Sequence, residues 1–520
     1  MTKAQKDPLF QLIKLLTKSE KRQFKLYAGR LFVNNDAKFI KLFNLLDKSK
    51  TYNEKDILKS DFVKKPQLAN LKAHLYKQIL LSLKLNPTHK NTRLQIREEL
   101  DFASILYSKG LYHQSLKILE KSKKTALQNN ENNLANEIVE LEKIIESQYI
   151  TRSMSGKADE LIQQAKSLSE QNLIASKLSN LSLQLYSLFL KTGYVKNKND
   201  AKRIQAFFKN EIPVYHIEKL GFTEKLWLYK CHLWYSFLMQ DFKNSYKFAL
   251  KWVNLFSQYP QMTALNPVFF LKGNNYLLEA LFFIGNDKKF ESVFNELLDT
   301  INSKNFPQTK NTEILSFLYV NFHQINLHFM RASFKDGIQM ISAIEHQLNT
   351  YKSFIDPHHT SIFYYKFASL YFGANDNKAC IFYLKKIISN KALTMKEDLM
   401  CYSRVLNLIA HYEEGLDGNL DLIIKDTYRF LIKMNDLHQV QKELIGFIKT
   451  LQDIYPQELK MAFKNLLKRL KPLEHHPFER RSFLYLDIIS WLESKIKNKP
   501  VATIIKEKRS AKLTERYKTK

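Results

Sequence analysis

Between Asp101 and Ala126 apolar and small residues recur at helical spacing on either side of a tight turn. Ala103 and Leu106 lie three apart and share one face of a first helix, and Ser115, Leu119 and Ser122 follow on one face of a second. Gly110 and Tyr112 fall in the turn, where glycine readily takes the positive φ that ends a helix. The small Ser115 and Ser122 let the second helix approach the first closely. Sliding this unit along the chain places equivalents of Ser115 at Ala158, Ala201, Ser245, Phe290, Gly337 and Cys380, at intervals of 43, 43, 44, 45, 47 and 43 residues. All but Phe290 are small, so that copy either packs differently or marks a slip of register. A late copy, FASLYFGANDNKACIFYLKKI, keeps Ala368, Tyr371, Cys380, Leu384 and Ile387 in pattern. The pattern predicts an all-α fold: a superhelical array of antiparallel helix pairs with a period of about 44 residues, each pair burying its apolar face against its neighbours.

With Ala103 and Ser115 in its small positions, Gly110 and Tyr112 in its turn and Leu119 as its large apolar residue, the unit resembles a tetratricopeptide repeat. The period exceeds the roughly 34 residues usual there, so lengthened tetratricopeptide-like hairpins are the first reading and a HEAT-type array the alternative. The resemblance implies a concave groove, lined by first helices, for extended or helical peptides. Four residues after the first small position lie Tyr107, Phe237, Phe282, Phe329 and Phe372, a row interrupted by Ile150 and Gly193. These five are the candidate partner-binding residues; the competing reading makes them core between hairpins. Lys230 stands where the family's carboxylate clamp has a lysine, but Trp234 replaces the clamp asparagine, so recognition of a C-terminal carboxylate does not carry over. The segments LIKLLTKSEKRQFKLYA, TYRFLIK and LDIISWLESKI together are similar to long, uncharacterised helical-repeat proteins of Bacteroidetes-type bacteria. That likeness implies an architecture and no activity.

Residues 1–90 read as a basic N-terminal helical module. Leu9 to Leu16 forms a first helix, and TKSE at Thr17 to Glu20 has the form of a capping box, as does TYNE at Thr51 to Glu54. Lys18, Lys21, Arg22 and Lys25 share one helical face, with Phe24, Tyr27 and Leu31 on another. Pro66 suits the first turn of a helix that turns Leu68, Leu71, Leu75 and Ile79 inward and leaves Lys65, Lys72 and Lys77 outside. Residues 91–455 form the array, 456–496 close it, and 497–520 read as a disordered or loosely helical basic arm. Pro213, Pro260, Pro267, Pro307 and Pro357 all fall between predicted helices, where a missing N–H does little harm.

Composition changes this picture mainly through charge. The net +30 is concentrated at the ends: residues 1–90 hold 20 basic against 7 acidic side chains, and residues 495–520 hold 10 against 2. Lys18, Lys21, Arg22, Lys25, Lys65, Lys72 and Lys77 are therefore the candidate contacts for an anionic partner, an acidic protein or nucleic acid, against the plainer reading of a solvated face. The 14 Arg against 67 Lys weigh against sequence-specific DNA recognition, for which the guanidinium fork is the better tool. An A/T-rich genome would also enrich lysine. Cys231, Cys380 and Cys401 are isolated and lack a CxxC, which predicts buried thiols in a reducing compartment. Without a signal-like start or an 18-residue apolar run, the expectation is a cytoplasmic chain with no membrane contact.

Catalytic frameworks are missing from the sequence: it has no GxxxxGK[ST], GxGxxG, HExxH or GxSxG. The adjacent pairs His358–His359 and His475–His476 sit at predicted helix boundaries and read as loop or cap residues, not metal ligands. Glu413 and Glu414 diverge on a helix and make no acid–base pair. No enzyme, cofactor or metal site is expected. The leading expectation is a non-catalytic scaffold or adaptor for a protein or peptide partner, an acidic one being favoured by the basic ends. The alternative is a nucleic-acid-associated regulator that touches phosphates through its basic ends.

Overall fold

The computed structural model describes residues 7–31, 38–60, 62–85, 91–148, 156–390, 398–415, 420–434, 437–451, 454–455, 457–479, 482–483 and 487–518. Among these every regular element is helical, and sequential helices pack as neighbouring pairs. No helix among them is long and apolar enough to cross a membrane. The chain forms two compact units, Met1–Ser122 and Lys123–Lys520.

The first unit contains α1 (Pro8–Leu15), α2 (Lys18–Leu31), α3 (Lys38–Lys48), α4 (Glu54–Leu58), α5 (Lys65–Lys84), α6 (Thr92–Ser108) and the start of α7 (Tyr112–Gln128). Its core gathers Ile13, Phe24, Leu42, Phe43, Ile57, Leu75 and Ile79, with the Phe24 and Phe43 rings 4.7 Å apart. The capping box before α2 is formed: the Thr17 N–H donates to Glu20 Oε2 at 2.7 Å and the Glu20 N–H to Thr17 Oγ1 at 3.2 Å. The second box is not the cap used. Asn53 caps α4 instead, taking the Lys55 N–H at 3.1 Å, because its amide oxygen is as good an acceptor and stands nearer the helix start. In the hairpin of α6 and α7 the fully buried Ser115 donates its hydroxyl to the Ala103 carbonyl at 2.8 Å, the close approach that its small size permits.

The second unit continues with α8 (Asn132–Glu146), α9 (Lys157–Thr192), α10 (Lys198–Glu211), α11 (Phe222–Leu238), α12 (Phe242–Gln258), α13 (Gln261–Leu265), α14 (Pro267–Ile284), α15 (Asp287–Ile301), α16 (Lys310–Arg331), α17 (Phe334–Gln339), α18 (Ile341–Thr350), α19 (Pro357–Gly373) and α20 (Asn377–Ile388). It ends with α21 (Asp398–Glu413), α22 (Leu420–Lys433), α23 (Gln439–Thr450), α24 (Leu459–Leu470), α25 (Ile488–Lys497) and α26 (Val501–Lys518). Pro267 and Pro357 each open a helix, α14 and α19. Four successive hairpins turn in the same way. Gln240, Gly285, Ala332 and Asn375 take left-handed φ of 57°, 65°, 50° and 66°. The next residue's N–H then reaches back to the carbonyl five positions earlier: Asp241 to Ser236, Asn286 to Leu281, Ser333 to His328 and Asp376 to Tyr371, at 2.8 to 3.1 Å. This double closure satisfies carbonyls that a helix end otherwise leaves open. Five residues after each left-handed position stand Ser245, Phe290, Gly337 and Cys380, each the fourth residue of its helix.

Phe290 therefore keeps the register. It is fully buried, 6.2 Å from the Phe294 ring and 5.9 Å from His323. The pattern does not carry to Ala158, which is the second residue of the 36-residue α9, two positions after the left-handed Gly156. A turn of the shared kind stands at Asn130, with φ 56°, and the fully buried Ala135 follows it by five. Asparagine tolerates the left-handed conformation, so the polar NNENN stretch supplies the tight turn that glycine supplies elsewhere.

Of the two readings of the basic tail, disordered or loosely helical, the described residues show the helix, α26. Its Ile504 is fully buried, Lys508 pairs with Glu493 at 3.3 Å, and Arg509 lies 2.6 Å from Asp287 while donating to the Met330 carbonyl at 3.1 Å. One buried aliphatic side chain and these ion pairs hold a segment whose average composition is too polar to fold alone.

Candidate functional site

The five aromatic candidates occupy one structural position. Each precedes a left-handed turn residue by three and accepts its N–H: Tyr107 from Gly110, Phe237 from Gln240, Phe282 from Gly285, Phe329 from Ala332 and Phe372 from Asn375, at 2.9 to 3.1 Å. Tyr107 belongs to the first unit and the other four to the second. Phe237 is buried, while Tyr107, Phe282, Phe329 and Phe372 are half-buried. Phe282, Phe329 and Phe372 pack against the core of the second unit, so each ring has one covered and one accessible side. Ile150 lies outside the described residues, and Gly193 ends α9.

The first helices of successive hairpins meet through polar side chains that the sequence reading did not single out. Lys366 on α19 donates to Asn326 Oδ1 on α16 at 2.5 Å. The Asn326 amide lies 3.4 Å from His323 Nδ1, and His323 Nε2 lies 2.9 Å from Asn275 Oδ1 on α14. A carbonyl oxygen only accepts, so Nε2 carries the proton and Nδ1 receives the Asn326 N–H. This neutral tautomer agrees with the imidazole's pKa, which burial pushes down to about 3. Among the described residues Lys366 has no carboxylate at ion-pair distance. Its Nζ stands 5.7 Å from the Phe329 ring centre and 5.9 Å from Phe322, and burial lowers its pKa to about 8 although Glu279 pulls the other way.

Glu279 of α14 is the acid of this face. Desolvation raises its carboxyl to about 7 against the opposing pull of Lys366. Tyr276 of α14 and Tyr319 of α16 are within its electrostatic range and the exposed Tyr186 of α9 is within theirs, and desolvation raises the pKa of all three phenols. Trp234 of α11 ties the group together, its ring 4.9 Å from Tyr186 and 5.6 Å from Tyr276. Farther along the same helix Lys230 lies 4.5 Å over Trp227, and burial, then Lys272, lower its pKa to about 8. Charged side chains inside otherwise apolar runs, as in YLLEALFFI and YYKFASLYF, were the available signal.

The basic candidates of the first unit divide into two groups. Lys21 pairs with Asp47 at 2.7 Å, and Lys72 pairs with Asp7 and donates to Tyr52 at 3.0 Å. Lys72 is desolvated, but those bonds outweigh that and raise its pKa. Lys18, Arg22, Lys25, Lys65 and Lys77 are exposed. Two of the seven are thus spent on holding the fold, and five face solvent.

Residues with apparent chemistry elsewhere have structural partners. Glu413 accepts from Trp491 Nε1 at 2.7 Å and pairs with Lys495, bracing α21 to α25. Asp356 caps α19, taking the His359 N–H at 2.9 Å and its Nδ1 at 2.5 Å. Cys231, Cys380 and Cys401 are buried, and burial pushes the Cys231 thiol up to about 12. Among the described residues no group of three or more His, Cys, Asp or Glu is placed to hold a metal ion. Compared with family models, curated proteins and solved structures, the chain matches none of them.

Proposed function

We propose that this chain is a non-catalytic scaffold or adaptor, a tetratricopeptide-like superhelical array that holds a protein or peptide segment along the face made by its first helices. The observation that carries the reading is the enclosed polar set on α14, α16 and α19. Lys366 and Glu279 are half-buried, desolvation moves both pKa values toward the neutral forms, and no ion pair joins them, beside half-buried rings of the aromatic row. A face that served only to join hairpins would gain more from apolar side chains, since desolvated charges cost stability unless fully paired. A bound segment supplies the missing contacts. In this reading Phe282, Phe329 and Phe372 of the second unit each present the accessible side of the ring to the partner, the buried Phe237 supports them from the core, and the protein works in the cytoplasm.

The test starts from a peptide selected on the purified protein from a random display library, with its affinity measured by calorimetry. Phe329→Ala and Phe372→Ala are expected to weaken that affinity about tenfold each while shifting the melting temperature by only a few degrees. If both substitutions chiefly unfold the protein, the row is core and the groove reading fails. The five exposed basic side chains of the first unit support a second reading, contact with nucleic acid phosphates, and its salt dependence separates it from the first.

A further inference from the structure

The last hairpin of the second unit reaches back along the chain. α25 and α26 are joined by the closure found at the earlier turns: Asn498 takes φ 52°, and the Lys499 N–H donates to the Ser494 carbonyl five positions earlier at 3.0 Å. The Lys508 Nζ donates to Ser490 Oγ at 2.9 Å and pairs with Glu493 at 3.3 Å, which fixes the middle of α26 on α25. Arg509, the next residue, reaches past α25. Its Nε pairs with Asp287 Oδ2 at 2.6 Å, and its Nη1 donates at 3.1 Å to the Met330 carbonyl, 179 residues away in sequence. Side-chain contacts between successive hairpins span far less, 40 residues at Lys366–Asn326 and 41 at Lys386–Glu345. The second unit therefore curls until its C-terminal helix meets α15 and α16. Asp287 opens α15 two residues after the left-handed Gly285, and Met330 stands two residues before the left-handed Ala332. Phe282 and Phe329 belong to these same two turns, three residues before each left-handed position.

We propose that α26 is an autoinhibitory strap: it holds the turn edge that carries Phe282 and Phe329, and a segment bound along the aromatic row competes with it for that edge. The proposal rests on the scaffold reading and adds the occupant that the partner displaces. The attachment suits a strap. Ile504 is the one fully buried side chain of α26 among the described residues, and Arg509 and Asp287 keep 30% and 24% of their side-chain surface in water. Ion pairs so exposed hold weakly, so the docked helix can leave. The same geometry names the partner's chemistry. A guanidinium satisfies a carboxylate and one of the last carbonyls of α16 together, and the negative end of that helix favours a cation. A segment that takes the place of α26 therefore carries an Arg or Lys within reach of Asp287 and the Met330 carbonyl.

The test compares the full chain with Arg509→Ala, which removes the clasp, and Asp287→Asn, which removes its counter-charge from the other side. Hydrogen exchange read by mass spectrometry follows α26, and calorimetry follows the display-selected peptide, with a parallel selection on the Arg509→Ala protein. Both substitutions are expected to speed exchange in α26 while α14 keeps its rate, which separates release from unfolding. Both are expected to tighten the peptide about fivefold, the scale of one exposed ion pair, because apparent affinity follows the fraction of chains whose edge is open. Saturating peptide is expected to speed exchange in α26 of the unchanged chain. Selected peptides are expected to carry an Arg or Lys whose change to norleucine weakens them about fivefold, and equal binding without it removes the claim about the partner's cation. A peptide that slows exchange in α26, or an affinity that neither substitution changes, overturns the strap and leaves the scaffold reading standing. Binding to the Arg509→Ala protein alone supports the strap. If no selected peptide binds either protein, the scaffold reading fails and the strap falls with it, because α26 then guards nothing.

Discussion

Glu279 and Lys366 are stabilised by opposite ends of the pH scale. Folding raises the Glu279 carboxyl from 4.5 to about 7, so its contribution is fully present below the unfolded value and is lost as pH rises through about 7. Folding lowers Lys366 from 10.5 to about 8, so its contribution is present above 10.5 and lost as pH falls through about 8. Together they make the interval near neutrality the least favourable for this face, which is where a partner has most to add. Glu279→Gln removes the acidic limb. Urea unfolding at pH 5 and pH 7.5 should show wild-type protein losing stability between them relative to the variant, by about 1 to 3 kcal/mol. Equal differences at both pH values would place the carboxyl in water and remove the premise of an enclosed acid. Neither residue was legible beforehand, because a single charge in an apolar helix reads equally well as a solvated side chain at the edge of a stripe. What withdraws Glu279 and Lys366 from water is the packing of α14, α16 and α19, residues 40 and more apart in sequence. Ser115 was legible for the opposite reason. Its partner Ala103 lies in the same hairpin, so local spacing defines the contact.

At the scale of the element, the shared turn separates what residue type records from what backbone geometry requires. Gly110 and Gly285 announce a left-handed position, whereas Gln240 and Ala332 occupy the same one with side chains that disfavour it, and Asn375 with one that tolerates it less well than glycine. The turns at Gln240, Ala332 and Asn375 were therefore inferred only through the small residue five positions later. Phe290 shows the converse, since a large residue sits at a position read as small while the turn before it is intact. The geometry gives a paired prediction. Asn375 is exposed with φ 66°, so Asn375→Gly relieves its strain and should stabilise the second unit by about 0.5 to 1 kcal/mol. Gly285 has open space where a Cβ would go but φ 65°, so Gly285→Ala should destabilise by about 1 to 2 kcal/mol through the backbone alone. Denaturant midpoints with unchanged slopes measure both, and effects of the same sign would show that the turns are not one motif. α26 escaped the same kind of reading because Ile504 and Arg509 find their partners on other elements, Arg509 on α15 and α16, far outside any window of sequence.

At the scale of the whole molecule, the uneven charge becomes more specific once the ion pairs are known. The net +30 counts every lysine alike, but Arg509, Lys508 and Lys495 near the C-terminus all have acidic partners, as do Lys21 and Lys72 in the first unit. A side chain already in an ion pair releases no additional counterion when an anion arrives unless it first gives up its partner. This leaves Lys18, Arg22, Lys25, Lys65 and Lys77 as the candidates that can neutralise phosphate without breaking contacts. Five phosphate contacts set a limit on salt dependence, a slope of log K against log salt no steeper than about −4.5 for duplex DNA. Anisotropy of a labelled duplex between about 50 and 200 mM salt measures it, beside a variant with the five residues changed to Glu. Binding with that slope, abolished in the variant, would assign nucleic acid contact to the first unit alone. A much steeper slope would mean that paired lysines or other basic stretches also take part. No binding at the lowest salt would remove the nucleic-acid reading. The same five side chains would then face an acidic protein surface or water, and the search for a partner would turn to the first-helix face proposed as the binding surface of the second unit.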